Sequence, residues 1–282
     1  MTATRAFKQV DVFTAVPLMG NPVAVILDGK GLSVAKMQAI ANWTNLSETT
    51  FVTPATDPAA DYAVRIFTPK SELPFAGHPT LGTAHAVLEA GLTSWNDGKI
   101  VQQCAVGLVE ISKGQTGLSF RLPRYAYRNA PDPESLIAAL GDNAIIGTPQ
   151  IVDVGPHWTI AELASCELLA DLNPDLNMLA AYERQHHTTG LTVYAECDDG
   201  SIAVRSFAPA DGISEDPVCG SGNGAVAAYR LRLGQIDDGS AYRASQGRQV
   251  GRDGHIRVRI HGVDIHIGGD CVTVVEGSFH LP

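Results

Sequence analysis

Short apolar runs rich in valine and isoleucine alternate along the chain with a few segments of helical period. That mixture predicts an α+β protein. Residues 7–13 and 22–27 read as a strand pair around a turn at residues 19–21. Ser33 can accept an amide hydrogen of the first turn of a helix, and Met37, Ile40 and Ala41 fall on one face of that helix. Residues 50–52 and 60–67 are further strands. Pro79 at a first helical position and Gly91 just past the last one bracket a second helix. Residues 100–122 alternate as a meander bent at Gly107, Gly114 and Gly117. Asp132-Pro133 opens a short helix that Gly141 closes, and the proline-containing stretch 123–133 is the candidate crossing between two domains.

Beyond that crossing the order of elements starts again. Residues 151–154 and 159–163 resemble the opening strand pair. Asn173-Pro174 caps a helix running through Met178 and Leu179. Residues 191–197 and 202–207 are strands, and 222–233 form a helix closed by Gly234. Strands dominate to the end, at 256–260, 264–267 and 272–275. The division this predicts is 1–128 and 129–271, with 272–282 packing back on the first domain.

An internal repeat supports the division. Arg65-Ile-Phe-Thr-Pro is followed by a loop and by Ala76-Gly77-His78-Pro79 opening a helix. Arg205-Ser-Phe-Ala-Pro is followed by a slightly longer loop and by Cys219-Gly220-Ser221-Gly222 opening another. In both halves a strand leads through a proline turn and a small-residue loop into an alanine-rich helix.

Composition narrows the partners. The 282 residues are 45% hydrophobic, enough to bury a real core, and carry a net charge of −10. An acidic surface without a basic block argues against nucleic acid. The N-terminal residues lack the apolar core of a signal peptide, and no apolar run is long enough to span a bilayer. Cys104, Cys166, Cys197, Cys219 and Cys271 are odd in number, far apart and without a C-x-x-C pair. They read as free thiols in a reducing cytoplasm.

The repeat also carries the candidate chemistry. The first backbone N–H groups of a helix lack internal acceptors and bear partial positive charge, so a small-residue entry loop makes an anion site without lysine or arginine. Two such sites, one per half, would bind a carboxylate and make its neighbouring C–H more acidic. Gly220-Ser221-Gly222-Asn223-Gly224 fits neither the dinucleotide pattern nor a P-loop. Glu48, His78 and Asp216 are the acid and base candidates, the last two each followed by proline. Cys219, directly before the second glycine loop, would have its thiol pKa lowered by the helix end and is a possible alternative base. No histidine pair has metal-ligand spacing with a third partner; His261 and His266 would point to opposite faces of a continuous strand.

These residues resemble the PhzF-like family of phenazine-biosynthesis-type isomerases, which shares its fold with diaminopimelate epimerase and proline racemase. The similarity runs through VDVFTAVPLMGNPVAVI, NLSETTFV, RIFTPKSELPFAGHPTLGTA, RSFAPADGISEDPVCGSGNGAVAAY and SQGRQVGRDGHIRVRI. It implies two pseudo-symmetric domains, each a curled, mostly antiparallel sheet around a central helix, with the active site in a cleft between them. By the same resemblance Glu48 is the acid/base glutamate and His78 and Asp216 belong to the catalytic set. Gly77, Gly220 and Ser221 bind substrate, Asn21 lines the cleft, no cofactor or metal takes part, and the protein is a homodimer. The family's best-known activity is isomerisation of a dihydro-hydroxyanthranilate by hydrogen shift. Cys219 stands where the phenazine enzyme's motif has threonine and Gly222 where it has alanine. Ala76 occupies the first of the two positions at which the epimerases carry cysteines, which disfavours a two-thiol racemase.

The expectation is therefore a cofactor-independent isomerase that moves a carbon-bound proton on a small carboxylate. Two alternatives stay open: a dehydratase or epimerase of an amino or hydroxy acid using Cys219 alone, and a non-catalytic small-molecule binding protein.

Overall fold

In the computed structural model, which describes residues 3–114, 117–141 and 145–281, the chain divides into two units. The first comprises 1–121 with 268–282, and the second 122–267.

The first unit opens with β1 (Ala3–Val12) and β2 (Asn21–Ile26), antiparallel with Phe7 opposite Ile26. Asp11, buried, accepts the Leu18 N–H and ties the intervening loop to β1. α1 (Val34–Thr44) crosses over to β3 (Glu48–Thr53), which runs parallel to β2. Ser33 caps α1 by accepting the Lys36 N–H, and Met37, Ile40 and Ala41 are its buried face, as the periodicity predicts. That face packs on Ile26, Phe51 and Phe67. Burying side chains of this size stabilises by about 1.5–3 kcal/mol each, far more than the helix propensity of eleven residues supplies.

β4 (Tyr62–Phe67) is antiparallel to β3 and is followed by the two-residue β5 (Glu72–Leu73). α2 (Gly77–Glu89) then leads to β6 (Lys99–Cys104), parallel to β4, and to the meander β7 (Gly107–Lys113) and β8 (Leu118–Arg121). Ten residues of α2 are buried, from Gly77 to Val87, so it is the central helix of this unit. Gly82 permits that: a Cβ there would run into the Val23 side chain and lie 2.9 Å from Val12 Cγ2. α2 begins two residues before Pro79, which sits third in the helix.

The second unit repeats the order. β9 (Ala126–Asn129) pairs with β10 (Ile145–Asp153), which carries residues 126–129 into this unit, and α3 (Pro133–Leu140) lies between them in the chain. Asp132 and Gly141 cap α3 as expected. β11 (His157–Leu163) is antiparallel to β10. The six-residue α4 (Cys166–Asp171), not foreseen from sequence, and α5 (Leu176–His186) cross to β12 (Gly190–Glu196), parallel to β11. The cap of α5 is Asp175 rather than Asn173-Pro174, because its carboxylate accepts the Asn177 and Met178 N–H groups.

β13 (Ile202–Ala208) and β14 (Ile213–Asp216) follow, then α6 (Gly220–Arg232). β15 (Ala241–Gln246) is parallel to β13, and β16 (Gly254–His261) is antiparallel to β15. β17 (Asp264–Gly269) leads back to the first unit, where β18 (Cys271–Leu281) pairs antiparallel with β1. Like α2, α6 is buried over most of its length and starts two residues earlier than expected.

Two readings of the sequence are overturned. Cys166 and Cys197 form a disulfide with Cα atoms 5.4 Å apart; Cys104, Cys219 and Cys271 are the free cysteines. The pair is 31 residues apart in sequence and meets only because α4 starts beside the end of β12. Five free thiols, the basis for expecting a reducing compartment, are therefore not what the chain holds. His261 and His266 do not sit on opposite faces of one strand. The chain turns between β16 and β17, and their rings meet edge to face at 5.3 Å. Among the described residues no helix is long and apolar enough to cross a membrane.

Candidate active site

In the first unit Glu48 is the first residue of β3, opposite Val23 of β2. The chain arrives there from the end of α1, where Asn45 adopts a left-handed conformation (φ 55°). Thr44 and Thr49 pin that junction through their hydroxyls, 2.7 Å apart. The Glu48 side chain is 15% exposed. Burial raises its carboxyl to about 7, against the opposing pull of the Ser47 hydroxyl. His78, the second residue of α2, places Nε2 3.3 Å from Glu48 Oε2. The two are close without being aligned as a hydrogen bond, and Oε2 has no aligned donor among the described residues. A carboxyl group poised near neutrality beside an imidazole can take up a proton and give it back.

The entry of α2 is built from Ala76, Gly77, His78 and Pro79. Ala76 caps it in an extended conformation with no side-chain bond. Pro79 has no N–H, and the Thr80 N–H goes to the Ala76 carbonyl at 3.2 Å. The first-turn N–H groups that a helix cannot pair internally therefore include that of Gly77.

In the second unit Cys219 is the cap of α6, and its sulfur accepts the Gly222 N–H at 3.2 Å. The Asn223 N–H goes to the Cys219 carbonyl at 3.0 Å, so Gly220 and Ser221 are the corresponding amide pair. The Ser221 hydroxyl accepts from Trp158 Nε1 at 3.0 Å. Asp216 ends β14, and its carboxylate accepts the Val218 N–H at 3.0 Å. Asn21 is fully buried at the start of β2. The structure thus groups Glu48, Gly77 and His78 in one unit, and Asp216, Cys219, Gly220 and Ser221 in the other.

Strand register shows how far the halves correspond. Glu48 is opposite Val23 across a parallel pair, and Gly190 is opposite Trp158 across the matching pair. Phe51 faces Arg65 in one half and Val193 faces Arg205 in the other. The position of Glu48 is therefore Gly190 in the second unit, and that of His78, counted from the cap, is Ser221. A Cβ on Gly190 would lie 2.6 Å from the Trp158 ring. The indole fills the place of a carboxylate, and the Trp158–Ser221 bond stands where Glu48 meets His78. At these matched positions a carboxylate beside an imidazole occurs in the first unit and not in the second.

Sequence reasoning missed a device common to both repeats. Arg65 forks onto Glu72 at 2.7 and 2.6 Å and lies over Phe67; Arg205 forks onto Glu215 at 3.0 and 2.8 Å and lies over Phe207. Each fork fixes the short strand that precedes a helix entry. A glutamate seven or ten residues after the arginine was the available signal. The Trp158–Ser221 bond and the bonds of Gln246 to Cys219 and Asn223 were also missed, because they join residues 63, 27 and 23 positions apart. An open groove lined by Lys36, Ile40, Trp43 and Phe279 lies in the first unit and includes none of the candidate residues.

A family model for phenazine biosynthesis-like proteins, PhzC-PhzF, matches residues 10–277. The chain belongs to that family. It is 37% identical to Antisense-enhancing sequence 1 of Schizosaccharomyces pombe, over 97% of this chain and 98% of that protein. It is 33% identical to the trans-2,3-dihydro-3-hydroxyanthranilate isomerase of Pseudomonas chlororaphis, over 96% and 98%. The crystal structure of a PhzF-family phenazine biosynthesis protein from Enterococcus faecalis matches with a TM-score of 0.84 at 27% identity, covering 99% of this chain and all of that one. The chain is a PhzF-family isomerase with the diaminopimelate epimerase-like fold.

Proposed function

We propose that this PhzF-family isomerase moves a carbon-bound proton of a small carboxylate, and that Glu48 both takes and returns it. The observation that carries the reading is the buried carboxyl of Glu48, held near neutrality, 3.3 Å from His78. Ionised Glu48 removes a proton from carbon; the electron pair left behind shifts through an adjoining double bond; the protonated carboxyl then delivers the same proton to the far end of that system. Nothing is consumed, so no co-reactant is needed. His78 orients the carboxyl and stabilises its ionised form during the first step. Binding of the substrate carboxylate falls to the backbone amides of Gly220 and Ser221 at the entry of α6, where an anion meets unpaired donors.

The 33% identity to a trans-2,3-dihydro-3-hydroxyanthranilate isomerase makes that compound the first substrate to test. Incubation in deuterated water, followed by mass spectrometry of the product, tracks the proton. Isomerised product supports the reading, whether unlabelled (internal return) or carrying deuterium at the newly protonated carbon. Recovery of unchanged compound without deuterium uptake counts against it.

One observation favours a second reading. The Cys219 sulfur accepts the Gly222 N–H at 3.2 Å at the entry of α6, the kind of place where a cysteine acts as base or nucleophile. Cys219→Thr separates the two. Threonine keeps a capping oxygen, so the glutamate reading expects turnover within about fivefold of the parent, whereas general-base loss is on the order of a hundredfold or more.

A further inference from the structure

Gln246 closes β15 and is buried, with both ends of its side-chain amide in use. Its Nε2 donates to the Asp216 carbonyl at 2.9 Å. Its Oε1 accepts from the Cys219 N–H at 3.1 Å and from Asn223 Nδ2 at 2.9 Å. Asn223 Nδ2 also donates to the Cys219 carbonyl at 2.9 Å. One side chain therefore ties the residue that ends β14 to the cap and first turn of α6. Next to it, Gly247 takes φ 103°, and a Cβ there would strike the Pro217 carbonyl, so the backbone just past β15 runs close against the same loop.

The consequence is a fixed count of donors. Gln246 occupies the Cys219 N–H, the Cys219 sulfur occupies the Gly222 N–H, and the Cys219 carbonyl occupies the Asn223 N–H. No acceptor is recorded for the N–H groups of Gly220 and Ser221 among the described residues. In the first unit Gln102, also buried, reaches the α2 cap at one remove. Its Nε2 donates to Thr80 Oγ1 at 3.0 Å, and that hydroxyl donates to the Ala76 carbonyl at 2.9 Å. The register explains the difference: Tyr62 faces Gln102, whereas Ile202, its counterpart, faces Ala244. Gln246 sits two residues further along its strand and touches the loop directly.

We propose that Gln246 is a positioning residue for substrate binding: it holds the loop of Asp216 to Asn223 so that the amides of Gly220 and Ser221 present a rigid pair of donors to the substrate carboxylate. This rests on the reading above that those amides bind the carboxylate. A rigid donor pair binds ground state and transition state alike, so its loss appears in KM rather than in kcat.

Two variants of the full chain test it, with trans-2,3-dihydro-3-hydroxyanthranilate as substrate. Gln246→Met keeps the length and removes donor and acceptor. KM should rise roughly tenfold to a hundredfold, the range for lost hydrogen bonds to a charged group, with kcat within about threefold. Gln246→Glu can replace both bonds only while protonated; ionised, it cannot donate to Asp216 and repels a carboxylate. The ratio of its KM to that of the parent should fall towards one as the pH is lowered, since Glu48, Asp216 and Cys219 are common to both proteins. A parental KM in Gln246→Met, a loss confined to kcat, or a ratio in Gln246→Glu indifferent to pH overturns the proposal; if Gln246→Met fails to fold, the ratio alone decides. If the parent does not turn over this compound, the substrate reading fails and amide exchange decides the positioning role. The Cys219 amide should exchange roughly tenfold faster in the variants at unchanged global stability, and equal protection overturns the proposal.

Discussion

Glu48 Oε2 lies 3.3 Å from His78 Nε2, and the two residues reach that distance from the starts of different elements: one begins a strand after a left-handed turn, the other sits in the first turn of the central helix. Gly82 lets α2 lie against β1 and β2, and the Thr83 hydroxyl donates to Thr50 of β3 at 2.8 Å. The pair is therefore set by packing of the helix, not by local sequence.

The first prediction concerns pH. A base must be ionised to start, and the Glu48 carboxyl is raised to about 7 by burial. kcat/KM should fall about tenfold per pH unit below 7 and level off above it. A plateau reaching down to pH 5 would show that a group with an ordinary carboxyl pKa, or none, starts the reaction.

Stability should carry the same group with the opposite sense. Its folded pKa lies above the usual 4.5, so the folded state holds the proton more tightly than the unfolded chain. The stability this contributes is complete below pH 4.5 and is lost as the pH rises to 7. Glu48→Gln lacks that loss. Urea titrations should find the variant gaining on the parent from pH 4.5 to 7, by roughly 2–3 kcal/mol in all, and constant above. A difference that does not change with pH would mean that Glu48 is not buried as described.

The disulfide gives a third. It closes a stretch of 31 residues and anchors α4; the backbone carbonyls of Leu169 in that helix and of Leu172 just past it accept from Arg205. Paired replacement of Cys166 and Cys197 by serine should lower stability by about 2–4 kcal/mol, measured by denaturant melts. No change on adding reductant to the parent would show that the bond does not form.

The repeat made much of this legible. Both helix entries, the strands before them and the caps Ser33, Asp132 and Gly141 follow from local chemistry, because a cap or a proline turn is decided within four residues. The fork of Arg205 on Glu215, the hub at Gln246 and the Cys166–Cys197 bond were not legible. Each depends on which strands become neighbours, and pattern along the chain does not state that. The asymmetry of the halves was half visible: Ala76 against Cys219 could be read directly, but Gly190 in the place of Glu48 needed the register.

The most direct measurement is turnover of trans-2,3-dihydro-3-hydroxyanthranilate by Glu48→Gln beside the parent chain. The amide keeps the shape of the carboxyl and cannot accept the proton. The variant should fold, bind with a KM close to the parent's, and lose on the order of a hundredfold to ten-thousandfold in kcat. A folded Glu48→Gln that isomerises the compound at near the parental rate would contradict the central claim and move the proton to another residue, with Cys219 first in line.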